Sequence, residues 1–125
     1  MKKKILIVDD ERALLTVLSD MVRSLNYDVI EAIDGVDALK KYAEHHPNMI
    51  ILDILMPNKS GFDVLEDLKI LHESPIPIII LSNLSGDEDM KRGSALGAVD
   101  YITKANFTLK EIMGKINKAF EINAQ

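Results

Sequence analysis

At 125 residues, 47% hydrophobic and 28% charged, the chain has the size and composition of one domain with a full core. Twenty acidic residues against fifteen basic ones give a net charge of -5, which argues against a nucleic-acid surface built on clustered basic charge. The absence of cysteine excludes disulfides, thiol nucleophiles and cysteine-ligated zinc, and fits a reducing cytoplasm.

Lys3 to Val8 reads as a first buried strand. Lys2-Lys3-Lys4 ahead of Ile5-Leu6-Ile7-Val8 has the look of a leader peptide, but the apolar run is too short and Asp9-Asp10-Glu11 ends it. No stretch approaches the roughly 20 apolar residues of a membrane span, so neither leader nor membrane contact is expected. Glu11 to Asn26 reads as a helix, with Leu14, Leu18, Met21, Val22 and Leu25 on its inner face. Asp10 is its expected cap, and Glu11 suits its positive end. Tyr27 to Ala32 alternates and carries Asp28 and Glu31, as an edge strand would. Asp34 is placed to cap a second helix lined by Val36, Leu39 and Ala43 and ending near His45-His46-Pro47.

Met49 to Asp53 is four apolar residues running into one aspartate, a strand buried on both faces. Ser60 can cap a third helix with Phe62, Leu65 and Leu68 inward. Pro75 and Pro77 lead into a fourth strand, Ile78-Ile79-Ile80-Leu81; prolines fit its entry but not its middle. Ser85-Gly86-Asp87-Glu88 matches a capping box for a fourth helix that runs to about Leu96 and stops at Gly97. Ala98 to Thr103 is the fifth strand. Thr108-Leu109-Lys110-Glu111 is a second capping box, and Leu109, Ile112, Ile116 and Phe120 form the inner stripe of a last helix. Five strands alternating with five helices give one α/β domain over residues 1–125, a parallel sheet covered on both faces. Counting leaves the strand order open.

In such a sheet, ligands bind outside the carboxyl ends of the strands. Those ends carry Asp9 and Asp10, Asp53, Ser82 and Asn83, and Lys104; the second strand offers only Ile33 and Asp34. Taken singly, each has a plain structural use: a cap, a turn former, a solvated lysine. Together they form one rim. Carboxylates this close repel by up to about 4 kcal/mol per pair at an effective dielectric near 20, which calls for a cation or shared protons. Hard oxygen ligands point to Mg²⁺. Magnesium beside a lysine suits a transferring phosphoryl group.

On these residues the chain resembles the receiver domain of two-component response regulators, most like the single-domain chemotaxis regulators. The resemblance rests on Asp9-Asp10, Asp53 with Pro57 and Gly61 behind it, Ser82 after an apolar strand, Tyr101 and Lys104. It covers essentially the whole chain. It implies the flavodoxin-like strand order 2-1-3-4-5, and the following roles. Asp53 takes a phosphoryl group from a histidine kinase or phosphotransfer protein. Asp10 binds Mg²⁺ directly and Asp9 through water, with Asp53 and the Leu55 carbonyl completing the protein ligands. Lys104 and Ser82 hold phosphoryl oxygens, and Tyr101 is the switch aromatic. The output is a protein partner on the face of helix four, strand five and helix five, with the protein monomeric or dimerising on phosphorylation. It assists its own phosphorylation and hydrolysis without being a metabolic enzyme.

The chain departs from the family pattern in three places. Ala105 stands where proline usually follows the lysine, so a trans peptide is expected there. Ser82 replaces the commoner threonine and keeps the donor. Leu55, two residues past the acceptor, presents an apolar side chain to an attacking water, which implies slow dephosphorylation.

Other functions fit less well. A Mg²⁺-dependent phosphohydrolase with an aspartyl nucleophile normally needs a second carboxylate at the Leu55 position. A flavin module needs a phosphate-binding loop after strand one, where Asp9-Asp10-Glu11 stands. No GxxxxGK[ST] loop exists for a nucleoside triphosphate. A receiver-like scaffold that is never phosphorylated would not need the complete acidic set. His45, His46 and His72 lack metal-ligand spacing, and Lys110, Lys115 and Lys118 read as the wet face of the last helix.

Overall fold

The computed structural model describes residues 2–71, 76–83 and 87–123. Its elements alternate: β1 (Lys4–Val8), α1 (Arg12–Ser24), β2 (Asp28–Ala32), α2 (Gly35–His45), β3 (Met49–Asp53), α3 (Gly61–Leu71), β4 (Ile78–Ser82), α4 (Asp87–Ala95), β5 (Asp100–Thr103) and α5 (Leu109–Asn123). The strands form one sheet in the order β2-β1-β3-β4-β5, and every pairing is parallel. This is the doubly wound, flavodoxin-like architecture.

Why the central strands are apolar throughout follows from the two core layers. Side chains alternate across a strand, so a strand covered on both faces has no polar side. Ile5, Ile7, Met49, Ile51, Ile79, Leu81 and Ile102 enter one layer, under Leu15, Leu18 and Val22 of α1 and Ile112, Ile116 and Ala119 of α5. Leu6, Val8, Ile50, Leu52, Ile78 and Ile80 enter the other, against Ala38 of α2 and Phe62, Leu65 and Leu68 of α3. Each fully buried Leu or Ile contributes about 1.5–3 kcal/mol, enough collectively to hold a few buried polar groups at the strand ends. β2 is indeed an edge, and its residues from Asp28 to Glu31 are exposed or half-buried.

Several local expectations hold. The Asp34 side chain caps α2, accepting from the Asp37 N–H at 2.7 Å. Ser60 Oγ accepts from the Asp63 N–H at 3.2 Å, and Thr108 Oγ1 from the Glu111 N–H at 3.1 Å. The turn after α4 has Gly97 at φ 107°, a left-handed backbone that glycine adopts without penalty. The Ser85-Gly86 half of the proposed capping box, Pro75 and His72 lie outside the described residues.

Other expectations are corrected. Asp10 does not cap α1: Glu11 occupies the cap position without a side-chain cap bond, and Asp9 Oδ1 accepts the Glu11 N–H at 2.8 Å. The most buried residues of α1 are Leu15, Leu18, Ser19 and Val22, while the expected Leu14, Met21 and Leu25 pack against the same core from partly buried positions. Val36 is 58% exposed, because Ala38, Leu39 and Tyr42 are the α2 residues that meet the sheet. Ala43 is also exposed. Leu109, at the first position of α5, is exposed rather than inward. Lys115 is not on a wet face. Its ammonium donates to the Tyr101 carbonyl and pairs with Asp100 at 3.4 Å and Glu111 at 3.7 Å, tying α5 to β5. On the helix faces hydrophobicity is periodic, but its phase against the sheet is set by packing.

Candidate functional site

Strand parity decides which side chains meet at the carboxyl rim. The Asp9 N–H still bonds the Ala32 carbonyl at 3.1 Å, and the Lys104 N–H bonds the Ser82 carbonyl at 3.1 Å, so the ladder runs one residue past β1 and β5. Counting by twos, Asp9 follows Ile7, Asp53 follows Ile51 and Lys104 follows Ile102, all on the α1/α5 side. Ser82 follows Ile80, whose register partner is Tyr101, on the opposite side. One sheet edge therefore places a carboxylate pair with a lysine on one face and a hydroxyl with an aromatic on the other.

The charged group is buried. Asp9 is 0% and Asp53 2% exposed. The Lys104 Nζ lies 3.2 Å from Asp53 Oδ2, 3.3 Å from Asp9 Oδ1 and 2.8 Å from Glu11 Oε1. Burial, reinforced by the Asp9 charge, pushes the Asp53 carboxyl up to about 7 despite the opposing Lys104. Asp9 is raised too, chiefly by burial, against the Glu11 N–H and Lys104, which favour its charge. Burial alone would lower Lys104. The Glu11 bond and the charges of Asp53 and Asp9 outweigh it, and the ammonium is held above the ordinary lysine range.

The donor set fits a divalent cation. One oxygen each from Asp9, Asp10 and Asp53 lie within 4.8 Å of one another. Asp9 Oδ2 is buried and accepts no hydrogen bond; its 3.2 Å approach to Lys104 Nζ is a charge contact without hydrogen-bond geometry. A buried carboxylate oxygen left in that state is costly unless something positive meets it. All-oxygen ligation suits Mg²⁺, Ca²⁺ or Mn²⁺.

The loop after β3 is fitted tightly to this edge. The Gly61 N–H bonds the Ile54 carbonyl at 2.9 Å. A Cβ on Gly61 would stand 2.3 Å from the Asp53 carbonyl oxygen, so glycine is required where α3 begins against the strand end. Asn58, at φ 69°, donates from Nδ2 to Asp34 Oδ2 at 3.0 Å, joining this loop to the start of α2. The Asp37 N–H and then the Asn58 amide hold the Asp34 carboxyl below its usual range. Leu55 is 61% exposed at the rim, two residues past Asp53.

All seven residues singled out from the sequence lie at or next to this rim. Asp9, Asp10, Asp53 and Lys104 converge. Ser82, 1% exposed, is linked by a side-chain hydrogen bond to Tyr101, which is half-buried against the α2/α3 layer. Leu55 stands at the edge. The Lys104–Ala105 peptide is trans, and among the described residues no cis peptide occurs. Three contacts were not legible in the sequence: Glu11 to Lys104, Asn58 to Asp34, and Lys115 to Tyr101. Glu11's place directly after the acidic pair is the one available hint, and it suits a helix-dipole charge equally well.

Comparison with known proteins agrees with this geometry. A family model described as the response regulator receiver domain matches residues 5–117. The chain is 42% identical over 115 residues to the probable transcriptional regulator ycf27 of Porphyridium aerugineum, covering 92% of this chain and 47% of that one. It is 38% identical over 116 residues to the alkaline phosphatase synthesis transcriptional regulatory protein PhoP of Bacillus subtilis, covering 93% and 48%. The chain thus spans about half the length of these curated relatives. A CheY-like response regulator receiver domain protein from Methanospirillum hungatei superposes with a TM-score of 0.91 at 25% identity, covering 99% of this chain and 98% of that one. No helix among the described residues is long and apolar enough to cross a membrane.

Proposed function

This chain belongs to the response regulator receiver-domain family, and on that premise we propose that it is a phosphorylation-dependent signalling switch whose phosphoryl acceptor is Asp53. The observation that carries the reading is the buried Asp53 carboxylate, with Asp9 and Asp10 oxygens within 4.8 Å and the Lys104 ammonium 3.2 Å away.

In this reading an Asp53 carboxylate oxygen attacks the phosphorus of a phosphohistidine on a histidine kinase or phosphotransfer protein. The P–N bond breaks as the P–O bond forms, and the histidine leaves with its electron pair. Asp9, Asp10, Asp53 and the Leu55 carbonyl would hold Mg²⁺, whose charge would offset that of the phosphoryl oxygens. Lys104 takes one phosphoryl oxygen as a point charge. Ser82 donates its hydroxyl to another.

Turning the Asp53 carboxylate into an acyl phosphate adds about one negative charge, about two where the carboxyl was protonated, and three strong acceptors. Ser82 can serve those acceptors only by giving up its present arrangement with Tyr101. That couples the acceptor to β5, and through Lys115 to α5. The face of α4, β5 and α5 then changes its packing and its protein partner, a population shift set by the phosphoryl group. The product serves signalling and is not turned over metabolically. Phosphohydrolase chemistry is disfavoured by Leu55, which offers no carboxylate for acid-base work.

Incubation with acetyl phosphate and Mg²⁺, read by intact mass, tests this. A gain of about 80 Da, one phosphoryl group, is expected in the wild type and absent in Asp53→Asn. No gain under any condition overturns the reading.

A further inference from the structure

We propose that Glu11 is a positioning residue: it tethers the Lys104 ammonium and is the partner that Lys104 releases when Asp53 takes a phosphoryl group. This rests on the receiver reading and adds a residue to it.

A lysine ammonium has three donors. In Lys104 all three are committed, to Glu11 Oε1 at 2.8 Å, Asp53 Oδ2 at 3.2 Å and Asp9 Oδ1 at 3.3 Å. A phosphoryl oxygen can be served only if one of these is given up. Asp9 is wholly buried, so water cannot take the place of Lys104 beside it as it can beside an exposed group. The Asp53 side chain is 3% exposed and carries the phosphoryl group itself. The Glu11 side chain is 60% exposed, and water can replace Lys104 around it at little cost. Glu11 is therefore the exchangeable partner, although its contact is the shortest.

The backbone supports this use of Glu11. It holds the α1 cap position yet makes no side-chain cap bond, leaving its carboxylate available. Its N–H is pinned to Asp9 Oδ1, the same oxygen that Lys104 contacts, so the tether and the acidic site share one anchor. An exposed ion pair is a small free energy, so the tether tunes rate and does not abolish phosphorylation.

Two variants separate tethering from charge. Glu11→Gln removes both the charge and the strong acceptor. Glu11→Asp keeps the charge and shortens the reach by one methylene. In both, the rate of mass gain from acetyl phosphate and Mg²⁺ is expected to rise about three- to fivefold, the size of effect an exposed pair allows. The ¹H–¹⁵N signal of the Lys104 ammonium, measured without phosphodonor, is expected to shift in both variants while that of Lys59 does not.

A Glu11→Asp rate equal to wild type means that only net charge matters and overturns the tether. So does a Lys104 signal unchanged in Glu11→Gln. If the wild type gains no mass while its Lys104 signal depends on Glu11, the receiver reading fails and takes the release step with it, and only the Glu11–Lys104 contact stands. If both measurements are null, both fail.

Discussion

Asp53→Asn should make the metal-free protein more stable at pH 8 and change it little at pH 4. The Asp53 carboxyl is pushed up to about 7 in the folded chain from 3.8, its ordinary value. Between those values the folded state keeps a proton that the unfolded chain has released. The unfolded state then binds fewer protons, so wild-type stability falls as pH rises through that window and levels off above about pH 7. A gap of about three pH units corresponds to ~4 kcal/mol, an upper bound because an amide replaces a protonated carboxyl imperfectly. A gain of ~2–4 kcal/mol at pH 8 is expected, or about 8–15 °C in Tm for a domain of this length. Thermal melts followed by circular dichroism in EDTA at pH 4, 6 and 8 measure it. Magnesium at about a hundred times its Kd should then stabilise the wild type by ~2.7 kcal/mol and barely move the variant, closing the gap. A variant less stable than wild type at pH 8, or a difference that does not grow with pH, would refute the account of a strained acidic cluster.

Three further expectations follow from particular contacts. Gly61→Ala must push a methyl to within 2.3 Å of the Asp53 carbonyl, so a loss of at least ~2 kcal/mol in urea melts is expected, together with slower phosphorylation; a neutral variant would mean that the loop yields easily. Leu55→Asn replaces an exposed apolar side chain beside the acceptor with one able to orient water, and the phosphorylated form should lose its added mass several-fold faster; equal decay rates would count against Leu55 as a hindrance to water. Lys115→Met keeps the length of the side chain but removes the ammonium that joins α5 to the Tyr101 carbonyl and Asp100. It should cost about 1 kcal/mol, given the half-exposed setting, and hydrogen exchange should quicken in β5 before β3; uniform exchange in the variant would speak against a local tie.

What the chain determined by itself was the alternation of strands and helices and the line-up of polar residues at the strand ends. Met49 to Asp53 is read correctly to the residue, because a strand covered on both faces must be apolar until it reaches the rim. Caps at Asp34, Ser60 and Thr108 were legible because they are bonds between residues three apart. Asp9, Asp10, Asp53, Ser82 and Lys104 could be singled out because each stands where a predicted strand ends.

Tertiary structure decided the phase of the helices and the partners of long side chains. Val36 and Leu109 have the right hydrophobicity and the wrong azimuth, since the sheet meets only one arc of each helix. Neither Lys104 to Glu11, 93 residues apart, nor Asn58 to Asp34 has a local signature, because flexible side chains choose partners only after the strands are ordered. The apparent surplus of carboxylates at the rim was visible in the sequence. That one lysine spends its three donors on three of them, and that burial and the Asp9 charge still push the Asp53 carboxyl up to about 7, was decided only by packing.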